Sequence, residues 1–365
     1  MQYIEPNYYR EFSCLADKCQ KTCCAGWQIV VDQASMEKYL QLQSQGKPFG
    51  NRLCNGIDWK EGVFYQDQKK RCEFLNEDNL CDIYSEVGAA MLCDTCRTYP
   101  RHIEEFEGIR EHSLCLSCPE AARIILNKEE RIIFVETGDD NEEYYEDFDE
   151  FLFAQLVLAR EYLLEVLQDR RYKMTRRMAV ALECAKELQE CVNSNEIYRC
   201  EEVIDKYRNK QVEKQGLQEI TDLLVIQRLW NPFLEELEVL QEGWYENLEK
   251  SKKRLYLRGQ TYYEELQHKF ECDYPEWEIE CEQLMVYWIF AYFGGAVYDD
   301  NIIGKVWLAL VSTLLIRELA VAKYHENGGC FSKVELLEIC INYSREIEHN
   351  DVNIEIIETN VINGK

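Results

Sequence analysis

The sequence lacks a basic footprint. Its 365 residues hold 41 Lys and Arg against 68 Asp and Glu, a formal net charge of −27. A chain that neutralises nucleic-acid phosphates needs the opposite balance, so no nucleic-acid partner is expected. The one basic cluster, Arg170–Lys173 with Arg176 and Arg177, falls in a helical stretch and reads as its solvated face. Long apolar runs are missing too. Those around Leu284–Val297 and Val306–Ile316 are too short to span a bilayer, and Met1–Phe12 has no apolar leader segment. The expectation is a soluble cytoplasmic protein without a membrane partner. No two glycines are spaced G-x-G, which removes the glycine-rich turn of nucleotide-binding βαβ units. No histidine follows a cysteine at the C-x2-H spacing of a zinc knuckle.

What the chain has is cysteine. There are 18, eleven of them before residue 119. The cytoplasm keeps thiols reduced, so a disulfide framework is not expected. Charge divides the chain at nearly the same place. Residues 1–128 hold 15 Lys/Arg and 19 Asp/Glu, and the remaining 237 hold 26 and 49. Between them Glu129–Glu150 carries eleven carboxylates and one arginine, with a short strand expected at Arg131–Glu136 and a turn at Gly138–Asn141. Beyond it, helical periodicity covers 151–166, about 174–192, 217–250 with a break at Asn231-Pro232, 260–271, 276–298, 302–325 and 332–348. Ser332 and Glu335 make a capping box for the last. The predicted organisation is mainly α: a cysteine-rich, metal-stapled α+β region over 1–128, an acidic connector over 129–150, and a multi-helix array over 151–365.

The first third shows only short apolar bursts, Gln28–Val31 and Gly62–Gln66, and a bound metal is the natural staple for such a segment. Its cysteines fall into four groups: Cys14-x4-Cys19-x3-Cys23-Cys24, Cys72-x8-Cys81, Cys93-x2-Cys96 and Cys115-x2-Cys118. Two thiolates three residues apart can face one metal or one cluster edge, and Cys118-Pro119 echoes the Cys-Pro that closes many cluster-binding runs. Ranked as ligands, Cys93, Cys96, Cys19 and Cys23 come first, then Cys115, Cys118, Cys14, Cys24, Cys72 and Cys81. Ten thiols exceed the four that one centre needs, so either two sites exist or several thiols are not ligands. An iron–sulfur cluster ranks ahead of zinc. Cys54, Cys184, Cys191, Cys200, Cys272, Cys281, Cys330 and Cys340 read as small buried apolar residues, and His102 and His112 as surface or packing residues.

These residues resemble the flagellin lysine-N-methylase family, whose N-terminal part belongs to a wider group of cysteine-rich zinc- or iron-chelating proteins. The resemblance rests on Phe12-Ser-Cys14 through Cys23-Cys24-Ala-Gly-Trp27, Cys72-Glu-Phe-Leu75 with Cys81-Asp-Ile-Tyr84, Leu92-Cys93 through Arg101, and Ser113-Leu-Cys115 through Arg123. Glu280–Leu284 and Trp307–Ala320 extend it less specifically. It implies a methyltransferase acting on surface lysines of flagellin, with S-adenosylmethionine and a 4Fe-4S cluster as cofactors. The sequence departs from two common patterns for that donor. The βαβ glycine turn is absent, and the C-x3-C-x2-C triplet is incomplete, because Gly26 stands where a third thiolate would follow Cys19 and Cys23. Arg97, Arg101 and Trp27 are candidates for holding the cofactor, and Tyr99, Arg97 and Arg101 for the chemistry. The rival readings are a non-catalytic iron or zinc module with a helical partner-binding domain, and a cluster-based oxidoreductase.

Overall fold

The computed structural model describes residues 1–209, 230, 233 and 235–360. The architecture is mainly α, with a small cysteine-rich α+β region packed on a helical array. Its one sizeable sheet gathers distant strands. β1 (Gln2–Pro6) lies parallel to a hairpin strand and antiparallel to a strand from the acidic connector. The hairpin comprises Arg101–Phe106 and Ile109–Leu114, turning at Gly108, whose φ is +67°. In its outer strand Arg101, Ile103 and Glu105 face solvent, and Phe106 closes the buried end. Charged residues on such an edge discourage further strand pairing. The connector strand is Phe134–Gly138, starting three residues later than the expected one and ending two later, because its register is set by pairing with Gln2–Pro6.

A first, small core holds Ile29, Val31, Tyr39, Leu53, Phe64, Phe74 and Ile83 together with Cys72 and Cys93. It lies between the helices Gln33–Ser44 and Pro48–Asn55 and the loops that follow. The two helices touch at Gly50, where a Cβ would stand 2.7 Å from the backbone N of Gln43, so only glycine permits that approach. The apolar bursts meet here: Val30 bridges to Val63.

A second core runs from Tyr8 to Ile357 and takes in the sheet, the helix Pro119–Leu126 and the array. The array contains Glu150–Leu167, Met174–Asn193, Trp244–Tyr256, Gln260–Asp273, Trp277–Tyr292, Ile302–Glu326, Lys333–Ile347 and Asp351–Thr359. Trp277–Tyr292 and Ile302–Glu326 are buried on nearly every side, as central helices must be if apolar all round. The capping box at Ser332 and Glu335 is formed. The helix expected over 217–250 lies partly outside the described residues, as does its break at Asn231-Pro232. Within them, Gly243 (φ +79°) precedes a fresh helix start at Trp244.

Two readings of the sequence need correction. The basic cluster is a solvated face only in part: Arg170, Arg171 and Lys173 are exposed, in the turn between the helices Glu150–Leu167 and Met174–Asn193. Arg177 is 2% exposed, and with Arg170 it clamps the buried Glu282 carboxylate, an arrangement that composition does not reveal. Cys272 and Cys330 are exposed rather than buried; Cys272 sits in the last turn of its helix, beside His268.

The sheet is tied to the array by a bidentate ion pair between Glu111 and Arg160, both nearly inaccessible to solvent. Removing one partner of a buried pair strands a charge. Glu111→Leu is expected to cost about 3 kcal/mol or more, and Glu111→Leu with Arg160→Met together distinctly less. Denaturant unfolding of the three proteins measures both terms.

Candidate metal centre

Local structure brings the cysteines out of their loops at defined points. Asp32 begins the helix Gln33–Ser44 by accepting from the Ser35 amide at 2.8 Å. Its other oxygen accepts from the Asp94 amide, also at 2.8 Å. Burial opposes its charge, but these amides outweigh that and lower its pKa. One carboxylate thereby fixes the short helix Asp94–Thr98, which Cys93 precedes and Cys96 occupies. The Cys72–Cys81 loop is held by Asn76, whose side chain accepts from the Asp78 and Leu80 amides and donates to Asp82. Cys81 and Cys118 stand immediately before the helices Asp82–Val87 and Pro119–Leu126.

The ten candidate thiols separate into two groups. Cys72, Cys93, Cys24, Cys81 and Cys96 belong to or line the small core, and the Cys72 amide donates to the Cys24 carbonyl at 2.8 Å. Burial pushes the Cys72 thiol up to about 12, and the charges of Cys24, Cys81 and Cys93 add to the rise. Cys96 is raised by its hydrogen bond to Cys93, by burial, and by the nearness of Cys24 and Cys72. The second group is Cys14, Cys19, Cys23, Cys115 and Cys118. Cys14 and Cys118 act on Cys23, Cys14 and Cys19 on Cys118, and Cys118 on Cys115. The adjacent Cys23 and Cys24 share a hydrogen bond, and Cys24 also acts on Cys19, so the two groups adjoin at this pair. The four thiols ranked first in the sequence therefore divide, Cys93 and Cys96 to one group, Cys19 and Cys23 to the other.

Among the described residues no three Cys, His, Asp or Glu side chains already frame an ion. The test of fit is the chemistry of the donors. Backbone amides favour the thiolate at Cys72 (from Phe74), Cys81 (from Tyr84 and Ile83), Cys93 (from Cys96) and Cys118 (from Ala121 and Glu120), without closing full cap hydrogen bonds. The Ala16 amide donates to Cys14 Sγ at 3.4 Å. Burial and mutual repulsion nonetheless hold most of these thiols protonated. A soft cation reverses that balance, since a coordinating thiol is deprotonated outright. By contrast Cys184 and Cys340 are raised chiefly by burial within the helices, and Cys54 is buried with its thiol toward the Tyr39 carbonyl. The donor set fits a thiolate-held metal.

Of the other candidates, Trp27 and Tyr99 come together and the arginines do not. The Trp27 ring lies 5.7 Å from Tyr99 and 4.8 Å from His349, and its Nε1 donates to the Cys23 carbonyl. The Tyr99 hydroxyl meets Ser117 Oγ at 3.0 Å. Arg97 is exposed and pairs with Asp94, while Arg101 lies over the Phe12 ring. His112 packs between Tyr3 and Tyr9. Burial works against a charge on His102, but Glu104 at 2.7 Å and the Glu348 charge outweigh it and raise its pKa.

No motif pointed to Arg345, Glu348 and His349. Arg345 donates to the Ser117 carbonyl (3.2 Å) and the Lys21 carbonyl (2.8 Å), so one guanidinium joins two cysteine loops to the last array helices. His349 Nε2 lies 3.1 Å from Ser117 Oγ. A polar Arg345-Glu-Ile-Glu-His349 run at a helix end was the available sign, and it looks like any exposed terminus. A cleft of about 660 Å³ lies elsewhere, lined by Arg131, Arg171, Arg177 and Arg208; the last three are paired with carboxylates.

Cys72→Ser and Cys118→Ser are each expected to lower bound metal, the double variant further than either, while Cys184→Ser leaves it unchanged; metal analysis of proteins prepared without oxygen checks this. Burial, with Arg345 beside it, lowers the pKa of His349 to about 4, against about 6.5 for a free histidine. The unfolded chain therefore binds the extra proton first. His349 costs nothing above about 6.5 and destabilises the fold progressively as pH falls toward 4. His349→Gln is expected to flatten the stability loss in that window, as read by unfolding at several pH values.

Residues 13–116 match the CxxCxxCC model, described as "Putative zinc- or iron-chelating domain". The flagellar biosynthetic protein FliU of Salmonella muenchen is 32% identical over 129 residues, 34% of this chain and 76% of FliU. Lysine-N-methylases of Salmonella choleraesuis and Salmonella typhimurium are 31% and 32% identical over 129 residues, and the match spans 32% of the length of each. No solved structure matches the chain. Residues 160–363, more than half of the chain, match the FliB lysine N-methylase C-terminal domain, and the chain belongs to that family.

Proposed function

We propose that this chain is a protein lysine N-methyltransferase that takes its methyl group from S-adenosylmethionine, holds a 4Fe-4S cluster on N-terminal thiolates, and acts on surface lysines of flagellin. The observation that carries this reading is the meeting of the two family-matched regions. Arg345 and His349, from the methylase region, close directly on the Lys21 and Ser117 segments that bear the second thiol group. Cys14, Cys19, Cys23, Cys115 and Cys118 form the reactive ligand pool in this reading. Cys24, Cys72, Cys81, Cys93 and Cys96 form a stapling pool inside the small core.

A bound cluster supplies an iron to which the donor's amino and carboxylate groups can attach. The chain's own residues do the rest. Trp27, Tyr99 and His349 offer a half-buried aromatic wall beside the second group; aromatic faces suit ammonium and sulfonium groups. His349 is neutral at pH 7 and so adds no repulsion to an approaching cation. A lysine must lose its proton before its nitrogen can attack, and apolar walls favour that loss. The acidic surface steers lysine-rich partners toward the protein.

Protein purified and kept without oxygen is expected to be brown, to contain iron and sulfide, and to change its visible spectrum on addition of S-adenosylmethionine. With that donor it should add methyl groups to flagellin lysines, read by mass spectrometry. A colourless protein holding only zinc, indifferent to the donor, would replace this reading with that of a structural metal module.

A further inference from the structure

We infer that Glu348, with Tyr287 and Tyr292, forms a binding site for a primary amine, the side chain of a substrate lysine. The inference rests on the methylase reading for the identity of that amine, but the site itself stands on geometry. Tyr287 and Tyr292 come from the helix Trp277–Tyr292, and Glu348 follows the end of Lys333–Ile347. Both tyrosine hydroxyls donate to the same oxygen, Oε2, Tyr292 at 2.9 Å. The other oxygen, Oε1, is closed to solvent and has no hydrogen-bond partner. Ser344, one turn earlier, favours the carboxylate without closing a bond to it. Such an acceptor is costly to leave unmet.

Other buried glutamates show what is missing. Glu111, Glu280, Glu282 and Glu358 each have an arginine or lysine of the chain bonded to them; Glu280 and Glu358 also leave one oxygen unbonded, but a lysine sits on the other. Glu318 and Glu346 take only neutral donors, and these reach both carboxylate oxygens. Glu348 has two phenols on one oxygen and neither a cation nor a hydrogen bond on the other. His102, whose charge would act on Glu348, already bonds Glu104 and lies against the Tyr292 ring at 5.7 Å. An amine donates an N–H to Oε1 in either protonation state, and its methylene stem would pass over aromatic rings.

The position also suits the reaction. The Leu116 amide donates to the Tyr287 hydroxyl at 3.4 Å, one residue from Cys115, whose thiol is itself influenced by Glu348. His349, next in the chain, carries the contact to Ser117 and Trp27. Glu348 is only partly covered as a residue, although its Oε1 is itself closed to solvent.

The test uses the full chain prepared without oxygen, with Nα-acetyl-lysine-N-methylamide as the probe. Carbodiimide should couple the probe's amine to Glu348 saturably, identified by peptide mass spectrometry, and unlabelled probe lacking the amine should not compete. Glu348→Gln should weaken probe binding at least about tenfold with metal content unchanged, and Glu348→Asp should restore part of it. Absence of coupling at Glu348, or unchanged affinity in Glu348→Gln, overturns the site. If Glu348→Gln does not fold, coupling to the unaltered chain decides. Flagellin methylation by the unaltered chain is scored separately. Methylation without coupling defeats the amine site alone, and coupling without methylation defeats the methylase reading alone.

Discussion

Like charges cannot accumulate in a low-dielectric interior without a cation among them, and this constraint governs the N-terminal third. Thiols packed there repel one another as thiolates and resist ionising, as the raised Cys72 and Cys118 show. Nearby amides partly offset that cost at several sulfurs. The small core around Tyr39 and Phe74 is too slight to fix these loops alone. A thiolate-held metal answers both problems at once, by taking the protons' place and by crosslinking the loops.

The helical array contributes more than mass. A few of its carboxylates are internal acceptors: Glu318 takes donors from Tyr256, Tyr263 and Gln267, and Glu346 takes the amides of Leu240 and Gln241. The same habit produces the region around residue 348, where the array meets the cysteine loops. Arg345 is the hinge of that meeting, because it satisfies carbonyls from two segments almost a hundred residues apart.

Much of the fold was legible in the sequence because periodicity reports burial directly. Helices expected over 260–271 and 302–325 run from Gln260 to Asp273 and from Ile302 to Glu326. The helix expected over 276–298 stops at Tyr292 and gives way to short turns around Gly294 and Gly295, where the Phe106 ring approaches too closely for a side chain. The likeness of the cysteine-rich third to a chelating domain was legible from spacing. The grouping of its cysteines was not, since it depends on which distant loops meet, with the adjacent, hydrogen-bonded Cys23 and Cys24 standing where the two groups adjoin. Arg177, Glu348 and His349 were illegible for a related reason. Each owes its role to partners more than fifty residues away, which a charged letter does not announce.

X-ray absorption at the metal edge of the full chain, prepared without oxygen, addresses the thiolate centre most directly. A first shell of sulfur alone, at about 2.3 Å, diminished in a Cys72→Ser, Cys118→Ser protein, is the predicted result. A shell of nitrogen and oxygen, or a protein free of metal whose fold is unimpaired, would contradict it.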